Sequence, residues 1–269
     1  MIAHPIAVET IELGGLPVAR LDRAQTAALL IDLATTRRRA DRPWIGTSIN
    51  GQVVSEAAHS LELRQAILDA DLVSCDGQPL VLAARRLTGF DLPERVVTTD
   101  LFHDVAKQAE VRPLTMFLLG GTEDENRRAV EQAQRTYPHL RIIGRLHGYH
   151  DAEAWPARVA EINELGPDLL WVGFGVPLEQ RFYQRFARHL PRVGAIKTCG
   201  GLFNYLSGTM PRAPQWMQDA GLEWLFRLKL EPGRLWKRYA FTNVDATRLL
   251  LTRSRRGLVV RQFTAEPGA

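Results

Sequence analysis

The chain has 269 residues, 45% of them hydrophobic and 24% charged, with a formal net charge of +4. Such a composition fits an ordinary globular protein, and two cysteines exclude a disulfide scaffold. No apolar run approaches the roughly 18–20 residues that span a bilayer, and no internal repeat or low-complexity tract stands out.

Cys75 and Cys199 sit far apart in apolar, strand-like surroundings, so a reducing compartment is expected. The opening MIAHPIAVETIEL has acids and no basic segment leading into an apolar core, so a secretory signal is not expected. TIELGGLPVARLD reads as a hairpin around Gly14 and Gly15, and a helix follows from Asp22, a good N-cap, to about Arg39. WIGTSIN is a strand ending in small polar residues. SEAAHSLELRQAILDA has helical period, with Ala57, Leu61, Ile67 and Leu68 on one side. DLVSCD is a strand, and QPLVLAARRL a helix with Pro79 in its first turn.

Beyond RVVTTD the alternation is cleaner. Strands are expected at LTMFLLGG, LRIIGRLHGY, DLLWVGFG and GAIKTCGG, with helices at DENRRAVEQAQRTY, AEAWPARVAEINEL and PLEQRFYQRFARHL. Apolar strands alternating with helices predict an α/β fold: a mainly parallel sheet with helices on both faces. The alternation stops near residue 200. A texture rich in Trp and Arg follows, and from Arg227 to Arg261 only Glu231 and Asp245 oppose a recurrent basic charge. Interleaved aromatics suit an anionic membrane surface or closure over an anionic ligand. Nucleic acid is not expected, since no recognition motif accompanies the charge. The tail after about Arg253 reads as loosely ordered.

Ligands of such sheets bind outside the carboxyl ends of the strands. Ser48, Asn50, Asp76, Gly120-Gly121, Gly148-Tyr149, Gly175 and Gly200-Gly201 all fall at predicted strand ends. Asp76-Gly77 reads first as a turn, because Asp bonds locally and Gly accepts positive φ. Gly120-Gly121 lacks the GxGxxG pattern, and no GxxxxGK[ST] loop exists, which argues against dinucleotide and P-loop sites. Asp69-Ala70-Asp71 forms a DxD, a pattern of metal-dependent transferases, but at the wrong end of a strand. No His pair has metal-ligand spacing. His147 and His150 flank Gly148-Tyr149 in a loop, and Glu94, Arg95 and Asp100 form a compact polar cluster.

Taken together, DGQPLV, RRLTGFDLPERVVTTDL, FLLGG, GYH, PDLLWVGFGVPLEQRF and the long GGLFNYLSGTMPRAPQWMQDAGLEWLFRLKLEPGRLWKRY resemble the WecG/TagA/CpsF family of glycosyltransferases. The resemblance runs from about residue 10 to 245. It implies a Rossmann-like α/β body (1–205) and a C-terminal basic helical appendage (206–269) that docks on membrane and closes the active site. It implies metal-independent, inverting transfer from a UDP-sugar to a polyprenyl-diphosphate-linked saccharide, in cell-surface or exopolysaccharide synthesis. The enzyme would work without cofactor, peripheral on the cytoplasmic face of the inner membrane, with homo-oligomerisation left open.

Carried over by motif, Asp76 is the expected catalytic base, with Gly77 letting the chain turn so that the acid faces the cleft. Ser48 (where threonine is usual), Asn50, Arg95 and Tyr149 are expected to bind substrate, with Tyr149 beside the uracil. Glu179 and Gln180 stand in exchanged order within P-L-E-Q, where the family has P-K-Q-E. Asn204 stands where aspartate is usual. Arg227, Arg234 and one of Lys237 or Arg238 are expected to meet the diphosphate. Other classes are a non-catalytic scaffold of a polysaccharide assembly complex, which the altered P-L-E-Q and Asn204 keep in view, and a nucleotide-dependent oxidoreductase, disfavoured by the missing GxGxxG.

Overall fold

The computed structural model describes residues 6–36 and 40–263, and the side chains of Asp219 and Arg234 lie outside the described set. The chain opens with a hairpin, β1 (Ile6–Leu13) and β2 (Leu16–Ala19), then α1 (Arg23–Thr35), β3 (Trp44–Ile49), α2 (Gly51–His59), α3 (Leu61–Asp69), β4 (Leu72–Cys75) and α4 (Gln78–Thr88). Next come α5 (Thr98–Ala109), β5 (Thr115–Gly120), α6 (Glu123–Thr136), β6 (Arg141–Leu146), α7 (Trp155–Leu165), β7 (Leu169–Gly173), α8 (Leu178–Phe186) and β8 (Ala195–Thr198). The chain continues through α9 (Leu202–Leu206), α10 (Gln215–Asp219), α11 (Glu223–Leu230), α12 (Pro232–Arg253) and β9 (Arg255–Phe263).

Six strands in the order β4-β3-β8-β7-β5-β6 form one sheet, and every neighbouring pair is parallel. Side chains alternate along each strand between two cores. Met116, Leu118, Leu169 and Trp171 pack with α1, α5, α6 and α9, while Phe117, Leu119, Leu170 and Val172 pack with α2, α3, α7 and α8. Both faces are covered, which is why β5 and β7 read as near-continuous apolar runs. The expected Rossmann-like α/β fold is the one observed.

The structure corrects the sequence reading in three places. The segment after Arg253 is a strand: β9 runs antiparallel to β1, with Val8 opposite Arg261 and Thr10 opposite Val259. Phe263 is buried and sits 5.4 Å from the Trp44 ring, and the Arg261 guanidinium donates to the Ala70 carbonyl at 2.8 Å. The basic residues that suggest a solvated tail lie on a strand whose partner is some 250 residues away, a separation that local pattern does not report.

The second correction divides SEAAHSLELRQAILDA. Ser60 takes an extended conformation and its hydroxyl accepts from the Leu63 N–H, ending α2 and capping α3. The break resets the helical phase, so Leu61 is exposed while Leu63 is buried.

The third concerns Gly77. Its φ of −133° is open to any residue. Glycine is favoured by proximity: a Cβ there would lie 3.2 Å from the Asn50 Cα, a tight contact.

Candidate active site

A cleft of roughly 1240 Å³ lies over the carboxyl ends of the parallel strands, with α11 and α12 as its outer wall. It is larger than the roughly 300–1,000 Å³ typical of a pocket for one small ligand. Ser48, Asn50, Asp76, Arg95, Tyr149, Glu179, Asn204, Arg227 and Arg238 all line it.

Asp76 stands one residue beyond β4. Its N–H donates to the Ile49 carbonyl at 2.8 Å, which extends the parallel ladder and fixes where the side chain leaves the sheet. The following loop returns to the same strand end, where the Val96 N–H donates to the Cys75 carbonyl at 2.8 Å. That bond brings Arg95 and Thr98 beside the carboxylate. Thr98 approaches Asp76 Oδ2 with its N–H at 3.4 Å and its hydroxyl at 3.3 Å. Asp76 is half-buried. Burial pushes its carboxyl up to about 6, against the pull of Arg95, the Thr98 N–H and Lys197. A carboxylate poised there is still ionised at neutral pH and is a better proton acceptor than an ordinary aspartate.

Asn50 caps α2, its Oδ1 accepting from the Val53 N–H at 3.1 Å. Arg95 forms a 2.7 Å ion pair with Glu223 of α11. Arg212 joins the same cluster, paired with Asp100 at 2.7 Å and Glu223 at 3.5 Å.

On the other side, Gly120 and Gly121 turn the chain with positive φ, and a Cβ on Gly120 would lie 2.3 Å from the Gly173 carbonyl oxygen. Thr122 and Glu125 then form a capping box on α6. The Asn204 amide donates to Glu125 Oε1 at 2.7 Å. An aspartate at 204 would set two carboxylates against each other, so the departure from the family pattern matches its surroundings. Tyr149 is 74% exposed at the lip, and the flanking His147 and His150 rings stack at 4.0 Å.

Two expected binding residues fall outside the lining. Gln180 is buried beneath the floor, donating to Thr47 Oγ1 at 3.3 Å, whereas Glu179 reaches the floor and accepts from the Gly200 N–H at 2.9 Å. The exchanged order of these two residues thus puts the carboxylate at the cleft and the amide in the core. Of the alternatives on α12, Arg238 lines the cleft, while Lys237 is exposed with its ammonium 5.7 Å from the Trp236 ring. The expected contact of Arg234 lies outside the described side chains.

Arg227 and Arg238 each bury an Nε without an acceptor among the described residues. A buried guanidinium N–H left so is costly and marks a place for an anion.

The sequence reading missed Lys197. It is fully buried in β8, at the centre of the sheet, and its ammonium donates to Ser48 Oγ at 2.9 Å and to the Thr198 carbonyl at 2.8 Å. Burial holds its pKa below the ordinary lysine value. The available signal was a lysine inside GAIKTC, an otherwise apolar strand.

Asp71 of the DxD pairs with Arg42 at 2.8 Å at the amino end of β4, away from the cleft. Among the described residues no three His, Cys, Asp or Glu side chains gather as a metal site would require.

A large cleft that joins a carboxylate held near its working range to two arginine Nε groups without an acceptor among the described residues suits an enzyme site. The Glycosyl transferase WecG/TagA/CpsF family matches residues 11–258, and the chain belongs to that family; it is a glycosyltransferase. It is 29% identical over 192 residues to the N-acetylglucosaminyldiphosphoundecaprenol N-acetyl-beta-D-mannosaminyltransferase of Bacillus subtilis (strain 168), covering 71% of this chain and 73% of the relative. The enzyme of the same name from Bacillus spizizenii (strain ATCC 23059 / NRRL B-14472 / W23) is 26% identical over 225 residues, 82% of this chain and 85% of the relative.

Proposed function

We propose that the chain transfers a sugar from a UDP-sugar to a saccharide carried on a polyprenyl diphosphate, with inversion and without a metal. The observation that carries the reading is the half-buried Asp76 carboxylate in one cleft with Arg227 and Arg238, whose Nε groups have no acceptor among the described residues. Asp76 takes the proton of the acceptor hydroxyl as its oxygen bonds to the anomeric carbon. The bond from that carbon to the UDP oxygen breaks on the opposite face, and UDP leaves with the electron pair. A single displacement of this kind inverts the anomeric centre. Arg227 and Arg238 meet the charge that grows on the leaving diphosphate, and Tyr149 stacks beside the base at the lip.

An N-acetylmannosaminyl donor and an N-acetylglucosaminyl-diphospho-polyprenol acceptor are the first pair to test, because two relatives bear that activity in their names.

The acceptor's lipid would bring the enzyme to the cytoplasmic face of a membrane. No described helix is long and apolar enough to cross one. Phe241, Val244 and Leu251 of α12 are 77%, 73% and 69% exposed, and they share a face with the exposed Lys237 and Arg248. Trp216 and Trp236 are exposed nearby in the appendage. A basic and aromatic surface of this kind suits an anionic bilayer.

The test is a transfer assay with purified protein, a panel of UDP-sugars and a short-chain polyprenyl-diphosphate N-acetylglucosamine acceptor in EDTA, read by mass spectrometry. A mass gain of one N-acetylhexosamine supports the reading. UDP binding without product for any donor would count against this acceptor. Absence of both would overturn the reading.

A further inference from the structure

Lys197 has no part in the chemistry above, yet the fold is arranged around it. Gly46 of β3 lies opposite it in register, and a Cβ at 46 would meet the lysine Cδ at 3.1 Å. Trp171 of β7 is its neighbour on the other side. The ammonium is held by two neutral oxygens rather than a carboxylate. An ammonium so placed pays a large desolvation penalty, and an apolar residue of similar volume would spare it.

The ammonium also begins a chain of contacts that ends at Asp76. Lys197 Nζ donates to Ser48 Oγ at 2.9 Å, Ser48 Oγ lies 3.4 Å from Thr98 Oγ1, and Thr98 Oγ1 lies 3.3 Å from Asp76 Oδ2. The second and third links are long for hydroxyl bonds, as catalytic hydrogen bonds often are before substrate binds. Their direction is set by the two ends. An ammonium only donates and a carboxylate only accepts. Ser48 therefore uses a lone pair toward Lys197 and turns its proton to Thr98, and Thr98 turns its proton to Asp76.

Resting on the assignment of Asp76 as base, we propose that Lys197 is a positioning residue: its buried ammonium fixes the direction of the Ser48–Thr98 hydroxyl chain and so holds Asp76 as an ionised, correctly aimed acceptor. Four surrounding elements act on that carboxylate. Arg95 from the loop before α5, the Thr98 N–H at the start of α5 and Lys197 from β8 favour its ionised form; burial and Glu223 of α11 oppose it. Glu179 of α8 faces Lys197 and supports its charge. Removing Lys197 thus moves Asp76 toward protonation.

The experiment uses full-length protein labelled with carboxyl-13C aspartate. The Asp76 resonance is identified by its loss in Asp76→Asn, and its titration is followed in wild type, Lys197→Met and Ser48→Ala. The midpoint should rise by about one pH unit in Lys197→Met, and by less in Ser48→Ala, which keeps the ammonium but breaks the chain. In parallel, the acid limb of kcat/KM should move up with the midpoint in Lys197→Met, a loss of about tenfold below the limb. A purely structural lysine would lower activity evenly across pH and leave the midpoint in place. An unmoved midpoint in folded Lys197→Met overturns the proposal. If Asp76→Asn retains turnover, the base assignment fails, and the carboxyl titration still decides whether Lys197 governs Asp76.

Discussion

Arg95, in the loop between α4 and α5, and Glu223, on α11, form a 2.7 Å ion pair with side chains only 14% and 18% exposed. The bond ties the helical appendage to the loop that approaches Asp76. Glu223 also adds its own negative charge beside Asp76, opposing the effect of Arg95 there.

Replacing Glu223 with Gln should therefore act in two ways. A mostly buried arginine loses its partner, which should cost about 1–3 kcal/mol of stability. Asp76 loses a repelling charge, so the acid limb of kcat/KM should move to lower pH. Chemical denaturation and a pH–rate profile check the two effects separately.

Asp76→Asn should fold and lose about 10²–10⁴-fold in turnover, the usual worth of a general base. Its stability should also depend on pH in a defined sense. Burial raises the folded-state pKa of Asp76 from 3.8 to about 6. The protonated side chain therefore favours folding below about 3.8, and that contribution is lost as pH rises through 6. The variant should exceed wild type in stability by about 1–3 kcal/mol at pH 7, with the difference shrinking toward pH 4. Melting curves across that window give the answer.

The two α12 cations should separate by function. Arg238→Ala, like Arg227→Ala, should weaken UDP binding about 10–100-fold, the worth of a hydrogen bond to a charged group. Lys237→Ala faces outward and should reduce binding to anionic vesicles instead. Calorimetry with UDP and vesicle sedimentation distinguish them. Equal loss of UDP affinity in Lys237→Ala would contradict the assignment.

Phe263→Ala tests the strand that sequence reading took for a loose tail. Phe263 is 2% exposed against Trp44. Truncating it should cost about 3 kcal/mol and lower the denaturation midpoint without changing the slope.

What could be read from sequence alone follows from the range of the forces involved. The parallel sheet was legible because burial on both faces writes apolar runs into β5 and β7. Asp76 and Asn50 were legible because strand ends in this fold converge on one rim. β9 was not, since its stability comes from pairing with β1 across almost the whole chain. Gly77 showed its identity but not its reason, which is the approach of Asn50. The break at Ser60 was hidden by helix-like spacing on both sides, and Lys197 because a lone lysine reads as surface until the strand around it is placed at the sheet's centre. The roles of Glu179 and Gln180 depended on which of two adjacent side chains turns outward, and that phase is set by packing.

The most direct test is transfer from UDP-N-acetylmannosamine to a polyprenyl-diphosphate N-acetylglucosamine acceptor in EDTA, with wild type and Asp76→Asn side by side. The account predicts a product one N-acetylhexosamine heavier with wild type and at least about 100-fold less with folded Asp76→Asn. Equal product from both proteins would contradict it.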